Sequence, residues 1–378
     1  MRFFIFSAEI FGAALFQAPF ARAAELFAAR PTQVVHLLDR NADGDFFDAA
    51  ESLVYADLPG ASLRALVCSD DAVFALDSGT PAVLRLLDAN ADGDALDAGE
   101  VLLYAQLPPG SWRGMARSLD GEIFTADAAT GTLYALRDLN SDGDALDAQE
   151  VATVADSLSF PTAVGARPDG ALLVAQNLAA LPVRILSDHT ADGGFYDFAE
   201  NISYAENGPP AAALAVVDDQ IAYLAAAAQP QIHRLIDRTL DGDVLDASEV
   251  ELFAELPAVA SAVVRDAADL YAVVSDAPGS LLRIRDVTGD GDALDAGETL
   301  VVADGLTDAT AIAAPAAAPA CLPGDADANG LVAPPDIPLF VQTILAPPPD
   351  YEPCRYDLNA DGSLNGADVA GFASALLN

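Results

Sequence analysis

Carboxylates recur along this chain at fixed spacing. The pattern D-x-[NT]-x-D-G-x-x-x-D-x-x-E starts at Asp39, Asp88, Asp138, Asp188, Asp237 and Asp286, in steps of 49 or 50 residues. Counting from each first aspartate, position 3 holds Asn41, Asn90, Asn140, Thr190, Thr239 and Thr288. Position 5 holds Asp43, Asp92, Asp142, Asp192, Asp241 and Asp290, and position 7 holds Asp45, Asp94, Asp144, Asp243 and Asp292 in five of the six copies. Position 10 holds Asp48, Asp97, Asp147, Asp197, Asp246 and Asp295, and position 13 closes the set with Glu51, Glu100, Glu150, Glu200, Glu249 and Glu298. Oxygens on alternate residues converge on one point when the backbone curls, and glycine at position 6 permits the curl. That is a cage for a hard cation such as Ca²⁺, which takes about six to eight oxygen ligands. A merely solvated turn needs no third and fourth carboxylate at fixed offsets.

Charge agrees with that reading. The formal net charge is −41, and 29 of the 58 acidic residues lie inside the six copies. Carboxylates crowded in this way repel unless cations neutralise them. The 17 basic residues are all arginine and form no basic stripe, which argues against a nucleic-acid partner. At 52% hydrophobic the chain has ample material for a core.

The loops resemble EF-hand loops, but their closing carboxylate stands at position 13 instead of 12, with an extra acid at position 10. Their flanks are strand-like: VLRLLD enters the second copy and EVLLYAQL leaves it, so each loop joins two strands of a hairpin. In this they resemble the calcium-binding hairpin loops of some β-propeller proteins, which implies one Ca²⁺ per copy. The fourth copy departs most, with Gly194 at position 7 followed by Phe195 and Tyr196. It is expected to bind calcium most weakly, and the threonines of the last three copies are weaker neutral ligands than asparagine.

Four strands fit between successive copies. After Trp112 the chain reads WRGMAR, a turn at Asp120-Gly121, EIFTAD, a turn at Thr130-Gly131, TLYALRD, the acidic loop, then VATVAD. Four strands per 49 or 50 residues is one propeller blade. With strands lettered A to D, the acidic loop is always the C–D connection, bridging the last two strands of its blade on one common face. Glu25-Leu26-Phe27 aligns with strand B, and the missing A strand appears at Thr310-Ala311-Ile312-Ala313, so both ends of the repeat region complete one blade. The expectation is six blades, 24 strands and a ring without exposed edges. The A strands that line the channel are rich in small residues and carry no Asp, Glu or His. His36 and His233 read as matching strand-C positions with packing or hydrogen-bonding roles, and His189 falls inside the fourth loop.

Residues 1–23 read as a secretory leader with Ala21-Arg22-Ala23 as an A-x-A site. Glu9 within its apolar run leaves a misassigned start as the alternative. Export suits calcium cages, which points to a secreted or surface location with no membrane span in the mature chain. The propeller occupies 24–314, and a Pro/Ala linker, 315–320, follows. Residues 321–378 hold two twelve-residue acidic loops, DADANGLVAPPD and DLNADGSLNGAD, each leading into an amphipathic helix. This tail resembles a type I dockerin. The resemblance implies one ion held by Asp325, Asp327, Asn329, the Leu331 carbonyl and Asp336, and another held by Asp357, Asn359, Asp361, the Ser363 carbonyl and Asp368. It also implies docking to a cohesin-like partner, although Pro334-Pro335 and Gly366-Ala367 stand where that family sets partner choice. A structural cap that docks on nothing is the alternative. Cys321 and Cys354 sit at equivalent ends of the two half-repeats and suit a disulfide in an exported protein, whereas Cys68 is expected in the core.

Together these features describe an all-β six-bladed propeller, four strands per blade and closed by both termini, with a small α-helical dockerin-like domain of two calcium loops. Up to eight Ca²⁺ sites are expected. The function expected is binding or display, with a polysaccharide or surface glycan as a possible propeller ligand. The alternative is a dockerin-borne carbohydrate-active enzyme, a glycoside hydrolase or lyase, with its site on the face opposite the cages. No Ser/His/Asp set, CxxC pair, GxGxxG or P-loop is present.

Overall fold

The computed structural model describes residues 24–315 except 198, 247, 268, 276 and 277, and within 316–378 it describes 324, 326, 336–345, 353–356, 358, 364–366, 368, 369, 372 and 373. The leader expected at 1–23 and the linker residues 316–320 lie outside these. Among the described residues, 24 strands form six four-stranded antiparallel sheets. Blade 1 takes its A strand, Ala311–Ala313, from the far end of the repeats. That strand pairs with Glu25–Arg30 through Phe27↔Ala313, Ala28↔Ile312 and Ala29↔Ala311. Blades 2 to 6 each use four consecutive strands.

Burial explains the sequence pattern of each strand. The B strands Val73–Asp77, Ile123–Asp127 and Leu172–Gln176 are buried at every residue, because both faces of a blade pack against neighbouring blades. Hence they read as continuous apolar runs, like strands buried on two faces elsewhere. The D strands are exposed or half-buried over their first three residues and buried at the fourth and fifth, as in Val101–Gln106. They form the outermost strand of every sheet. The ring therefore keeps six short outer edges, where an edgeless ring was expected, because closure joins blades to each other and leaves each sheet open at its rim. Every C–D pairing carries a register shift, such as that between Val83 and Leu84, and bulges of this kind add twist.

Six hydrophobic clusters make up the core, and each is shared by two adjacent blades. One joins Phe27, Tyr55 and Leu58 of blade 1 to Leu63, Leu66 and Cys68 of blade 2. Another joins Leu26, Leu37 and Phe46 of blade 1 to Tyr271, Val273 and Leu281 of blade 6. Cys68 is buried with a free thiol, as expected, and burial, with Glu25 nearby, pushes that thiol up to about 12. Around the channel the A strands meet in ring order. Gly114 is needed there, because a Cβ at that position would lie 2.6 Å from the Ala163 Cα of the next blade.

In the tail, the helix Asp336–Leu345 occupies the place expected after the first loop. Val369, Phe372 and Ala373 are helical after the second loop, and the Phe372 N–H donates to the Asp368 carbonyl at 3.0 Å. A single helical turn, Pro353–Tyr356, was not legible from the sequence. Phe340 and Phe372 occupy the same place in the two half-repeats and stack with centroids 3.9 Å apart and planes 6° from parallel. Ala326, Tyr356 and Leu358 pack around them. No helix among the described residues is long and apolar enough to cross a membrane.

Candidate functional site

The six acidic loops share one backbone scaffold, built by their own carboxylates. The first aspartate accepts the position-6 glycine N–H at 2.9 Å in every copy, as Asp88 Oδ2 does from Gly93. Those glycines have φ between 82° and 104°, a left-handed conformation that an L side chain rarely adopts. Each closing glutamate is only 1–2% exposed and accepts at least two backbone N–H groups. Glu100 takes those of Ala89 and Asp97, both at 3.0 Å; Glu51 takes Arg40 and Asp48; Glu150 takes Leu139 and Asp147. In the later copies Glu200 takes His189 and Asp197, Glu249 takes Arg238 and Asp246, and Glu298 takes Val287 and Asp295; each also takes the N–H of its position-3 threonine, Thr190, Thr239 or Thr288. Position 13 thus locks position 2 to position 10. A carboxylate at 12 would stand one residue short of this clamp.

Electrostatics reflect the crowding. Burial, and then the charges of Asp241, Glu249 and Asp237, push the Asp243 carboxyl above the ordinary carboxylate range. The Thr288 N–H, against the opposing effect of burial, holds Glu298 below it. Asp188 is likewise lowered, chiefly by the Gly193 N–H.

Several observations fit a cation at the centre of these loops. Asp39 Oδ1 is buried and has no hydrogen-bond partner. Carboxylate oxygens of Asp43, Asp45 and Glu51 lie within 4.8 Å of one another, as do those of Asp188, Asp192 and Glu200. In the first three copies the position-3 amide group reaches two carboxylates at once. Asn41 Nδ2 donates to Asp43 at 3.0 Å and to Asp48 at 2.6 Å, and Asn90 and Asn140 do the same to Asp92 and Asp97 and to Asp142 and Asp147. A positive dipole end stands there between two carboxylates, and a cation between them would turn the amide oxygen inward instead. Thr239 turns its hydroxyl to Glu249 at 3.3 Å, so copies with threonine lack this cross-link. Asp45, Asp94, Asp144, Asp243 and Asp292 each accept the position-9 N–H. The fourth copy has Gly194 instead, and a Cβ there would lie 2.7 Å from the Tyr196 ring.

The loops do more than bridge two strands of one blade, which sequence reasoning missed. In every copy the position-8 N–H donates to a strand-D carbonyl of the preceding blade. Phe46 reaches Val302, Ala95 reaches Tyr55, Ala145 reaches Tyr104, Phe195 reaches Val154, Val244 reaches Tyr204 and Ala293 reaches Phe253, at 2.6–2.9 Å. All six position-8 side chains are buried. Arginines of strand C add a second tie: Arg283 Nη1 donates to the Gly44 carbonyl at 2.7 Å and Arg85 Nη1 to the Gly143 carbonyl at 3.2 Å. Every loop carries two adjacent apolar or aromatic residues, at positions 8 and 9, and only the fold shows that the first of them is the one buried at the junction.

The histidines correct an expectation. His36 pairs with Phe27, and the residue paired with the equivalent Tyr223 is Arg234, with His233 one place earlier. A shift of one along a strand changes face, so the two histidines are not equivalent. His36 bonds Glu25 at 2.9 Å and stacks on Phe27. The His233 Nε2 is buried without a partner, and burial lowers its pKa. His189 contributes its backbone N–H to Glu200.

At the opposite face, Asp77 and Asp127 are buried and tie loops together. Asp77 accepts the Ser62 and Gly79 N–H groups, and Asp127 those of Ser111 and Ala129. Burial works to raise the Asp77 carboxyl, but the Thr80 hydroxyl and these N–H groups outweigh it and hold it low. Gln176 does the same work in blade 4, accepting the Ser159 N–H.

Of the tail ligands, Asp325, Asp327, Asn329, Leu331, Asp357, Asn359, Asp361 and Ser363 lie outside the described residues, as do Cys321 and the side chains of Asp336 and Cys354, so the expected Cys321–Cys354 disulfide falls outside them too. Asp368 is described and fully buried. Its two oxygens accept the N–H groups of Leu358 and Asn365, both at 2.9 Å.

No protein-family model matches the chain, and no curated protein matches it. Among solved structures it is similar to a chain from a nidogen/laminin complex, at 17% identity and a TM-score of 0.57, covering 77% of this chain and 97% of that one. A streptogramin B lyase structure shares 14% identity with a TM-score of 0.46, covering 76% and 84%. A protein of unknown function from Bacteroides caccae shares 12% with a TM-score of 0.48, covering 77% and 98%. The first of these likenesses supports the propeller fold.

Proposed function

We propose that this chain is an exported calcium-stabilised propeller that acts as a binding module and docks through its dockerin-like tail. The observation that carries the calcium reading is the repeated clamp: in six loops of six, a buried glutamate fixes a loop of carboxylates, and the same loop is bonded to the sheet of the preceding blade. Calcium in such a loop would neutralise mutual repulsion and tighten every blade junction at once. The tail reading rests on Asp368, which closes its loop on positions 2 and 9 just as the propeller glutamates close theirs on positions 2 and 10. The paired Phe340 and Phe372 support a duplicated half-repeat.

Calorimetric titration of the chelator-treated chain, with metal analysis, tests the first part. Several calcium ions per chain with a large rise in melting temperature are expected, and an unchanged melt in excess calcium would sink the reading. Capture of a cohesin-like scaffold by the full chain in calcium, lost in chelator, tests the second. Capture of none by the calcium-loaded, folded chain would reduce the tail to a structural cap. The alternative of a carbohydrate-active enzyme gains no acid/base pair from the described residues lining the channel mouth.

A further inference from the structure

The second residue of the A strand breaks the symmetry of the ring. At equivalent places blades 2 to 6 carry Arg64, Arg113, Thr162, Ala212 and Ser261, and blade 1 carries Thr310, immediately ahead of its shorter A strand. The hydroxyls are spent on blade junctions: Thr162 donates to the Ala211 carbonyl at 2.9 Å, Ser261 to Ala309 at 2.8 Å and Thr310 to Leu63 at 2.8 Å. Two adjacent blades place an exposed arginine there instead. The pairing Leu63↔Asp77 lies at the far end of the sheet from Cys68↔Val73 and Val73↔Leu86, and the cage follows Leu86. Arg64 is thus at the channel mouth opposite the cages.

That mouth holds a cavity of about 300 Å³ lined by Arg64, Arg113, Asn177 and the three hydroxyls, together with glycine and alanine, and by no carboxylate. In a chain with 58 acidic and 17 basic residues, an acid-free hollow with two guanidinium groups is a departure from the surface around it. Neither arginine has an ion pair among the described residues, and Arg64 has only a long 3.4 Å bond to Ser78. Arg113, Thr162 and Asn177 also line a second hollow of about 310 Å³, which contains Phe160. Phe160 is 67% exposed and sits at φ 50°, a conformation that costs a bulky residue free energy and clusters at ligand sites.

We propose that this groove binds a carboxylate-bearing sugar unit, a uronic acid within an oligosaccharide. A planar carboxylate suits a guanidinium fork. Asn177 supplies a further donor, the hydroxyl oxygens accept from sugar O–H groups, and the exposed Phe160 ring offers an apolar face for a pyranose. The inference deepens the binding-module reading and is independent of the cages, since its residues lie on strands and loops at the other end of the blades.

The test is calorimetric titration of the full chain, in calcium and about 0.15 M salt, where the chain's own negative field is screened beyond ~8 Å. Probes are oligogalacturonate, the matching neutral galactose oligomer, and succinate. One oligogalacturonate per chain is expected, with the neutral oligomer at least about tenfold weaker, since a charge-assisted contact is lost. Arg64→Ala/Arg113→Ala should abolish binding while leaving the melt in calcium unchanged, and Arg265→Ala should change neither. Phe160→Ala should weaken the oligomer about tenfold or less, the worth of one aromatic contact, and leave succinate alone. Equal binding of the neutral oligomer, equal binding of succinate with no effect of Phe160→Ala, or no binding by a chain that melts normally would each overturn the proposal. Those outcomes would leave calcium binding by the cages intact, and failure of calcium binding would leave this groove intact.

Discussion

The propeller cages and the second tail loop close in the same way yet stand in different surroundings. Glu100 spans 11 residues to the Ala89 N–H and three to the Asp97 N–H. Asp368 spans 10 to the Leu358 N–H and three to the Asn365 N–H. The propeller clamp uses the longer side chain across one more residue, and the chain then leaves as a strand. The tail clamp uses the shorter one, and the chain leaves as a helix. What differs more is support: each cage is bonded to a neighbouring blade and backed by a cluster of buried side chains, whereas among the described residues of the 58-residue tail Ala326, Phe340 and Phe372 are buried together, with Ile344, Tyr356 and Leu358 packed against them. A small core cannot offset chain entropy alone. Metal should therefore decide whether the tail folds, and only how firmly the propeller does.

Chelation gives the largest expected separation. Hydrogen exchange followed by mass spectrometry should show residues 336–373 losing protection entirely when calcium is removed, as expected where metal binding and folding are coupled. The B strands should stay protected, with a lower melting temperature for the propeller. Equal loss of protection in both regions would mean that the cages, too, are conditions for folding.

Replacing one buried phenylalanine in each region sharpens the contrast. Phe46 packs at the junction of blades 6 and 1, 4% exposed and 6.4 Å from the Tyr271 ring. Phe46→Ala should cost about 3–5 kcal/mol, in urea unfolding that still shows one cooperative propeller transition. Phe340→Ala removes half of the 3.9 Å stack and should leave the tail without a cooperative transition even in calcium.

What could be read from the sequence follows from periodicity. Fixed carboxylate offsets marked the six acidic loops that share one scaffold, and the match of Glu25-Leu26-Phe27 with strand B gave the closure now seen in the Phe27↔Ala313 pairing. What could not be read depends on neighbours in space. The position-8 bond from Ala95 to Tyr55 crosses from one blade to another, and no local pattern states that a small apolar residue inside an acidic loop is a junction. The histidines failed for a different reason, a miscount: His36 stands three residues before Asp39 and His233 four before Asp237, so Arg234 is the counterpart of His36 both along the chain and in the sheet. The Phe340–Phe372 stack needed the two half-repeats to be folded onto each other, although equal spacing from Asp325 and Asp357 could have suggested it.

Neutralising the closing carboxylate should have a smaller effect than loss of the core, and a different one in each region. Glu100→Gln retains one acceptor and turns an amide donor towards a backbone N–H, leaving a buried donor unsatisfied at about 1–3 kcal/mol. The propeller should tolerate that and lose one calcium. Asp368→Asn makes the same change in a module with little core to spare, and its helical signal should require far more calcium. If both variants lost only one ion and neither unfolded, the tail would be better supported than its buried residues indicate.

The smallest expected effect lies within the propeller and compares the fourth cage with the other five. Gly194 removes one carboxylate, so this cage should fill last in a calcium titration followed by site-resolved crystallography. Restoring the charge alone should do little, because the Cβ of Gly194→Asp would meet the Tyr196 ring at 2.7 Å, and Tyr196 is held by its hydroxyl's bond to the Thr153 carbonyl. Four other cages have leucine at that place: Leu96, Leu146, Leu245 and Leu294. Gly194→Asp/Tyr196→Leu should therefore raise affinity at this cage by about tenfold, the scale of one added charged ligand in a calcium loop. Gly194→Asp alone should raise it less. A single variant as effective as the double would show that the Tyr196 ring yields freely, and that only the missing carboxylate sets this cage apart.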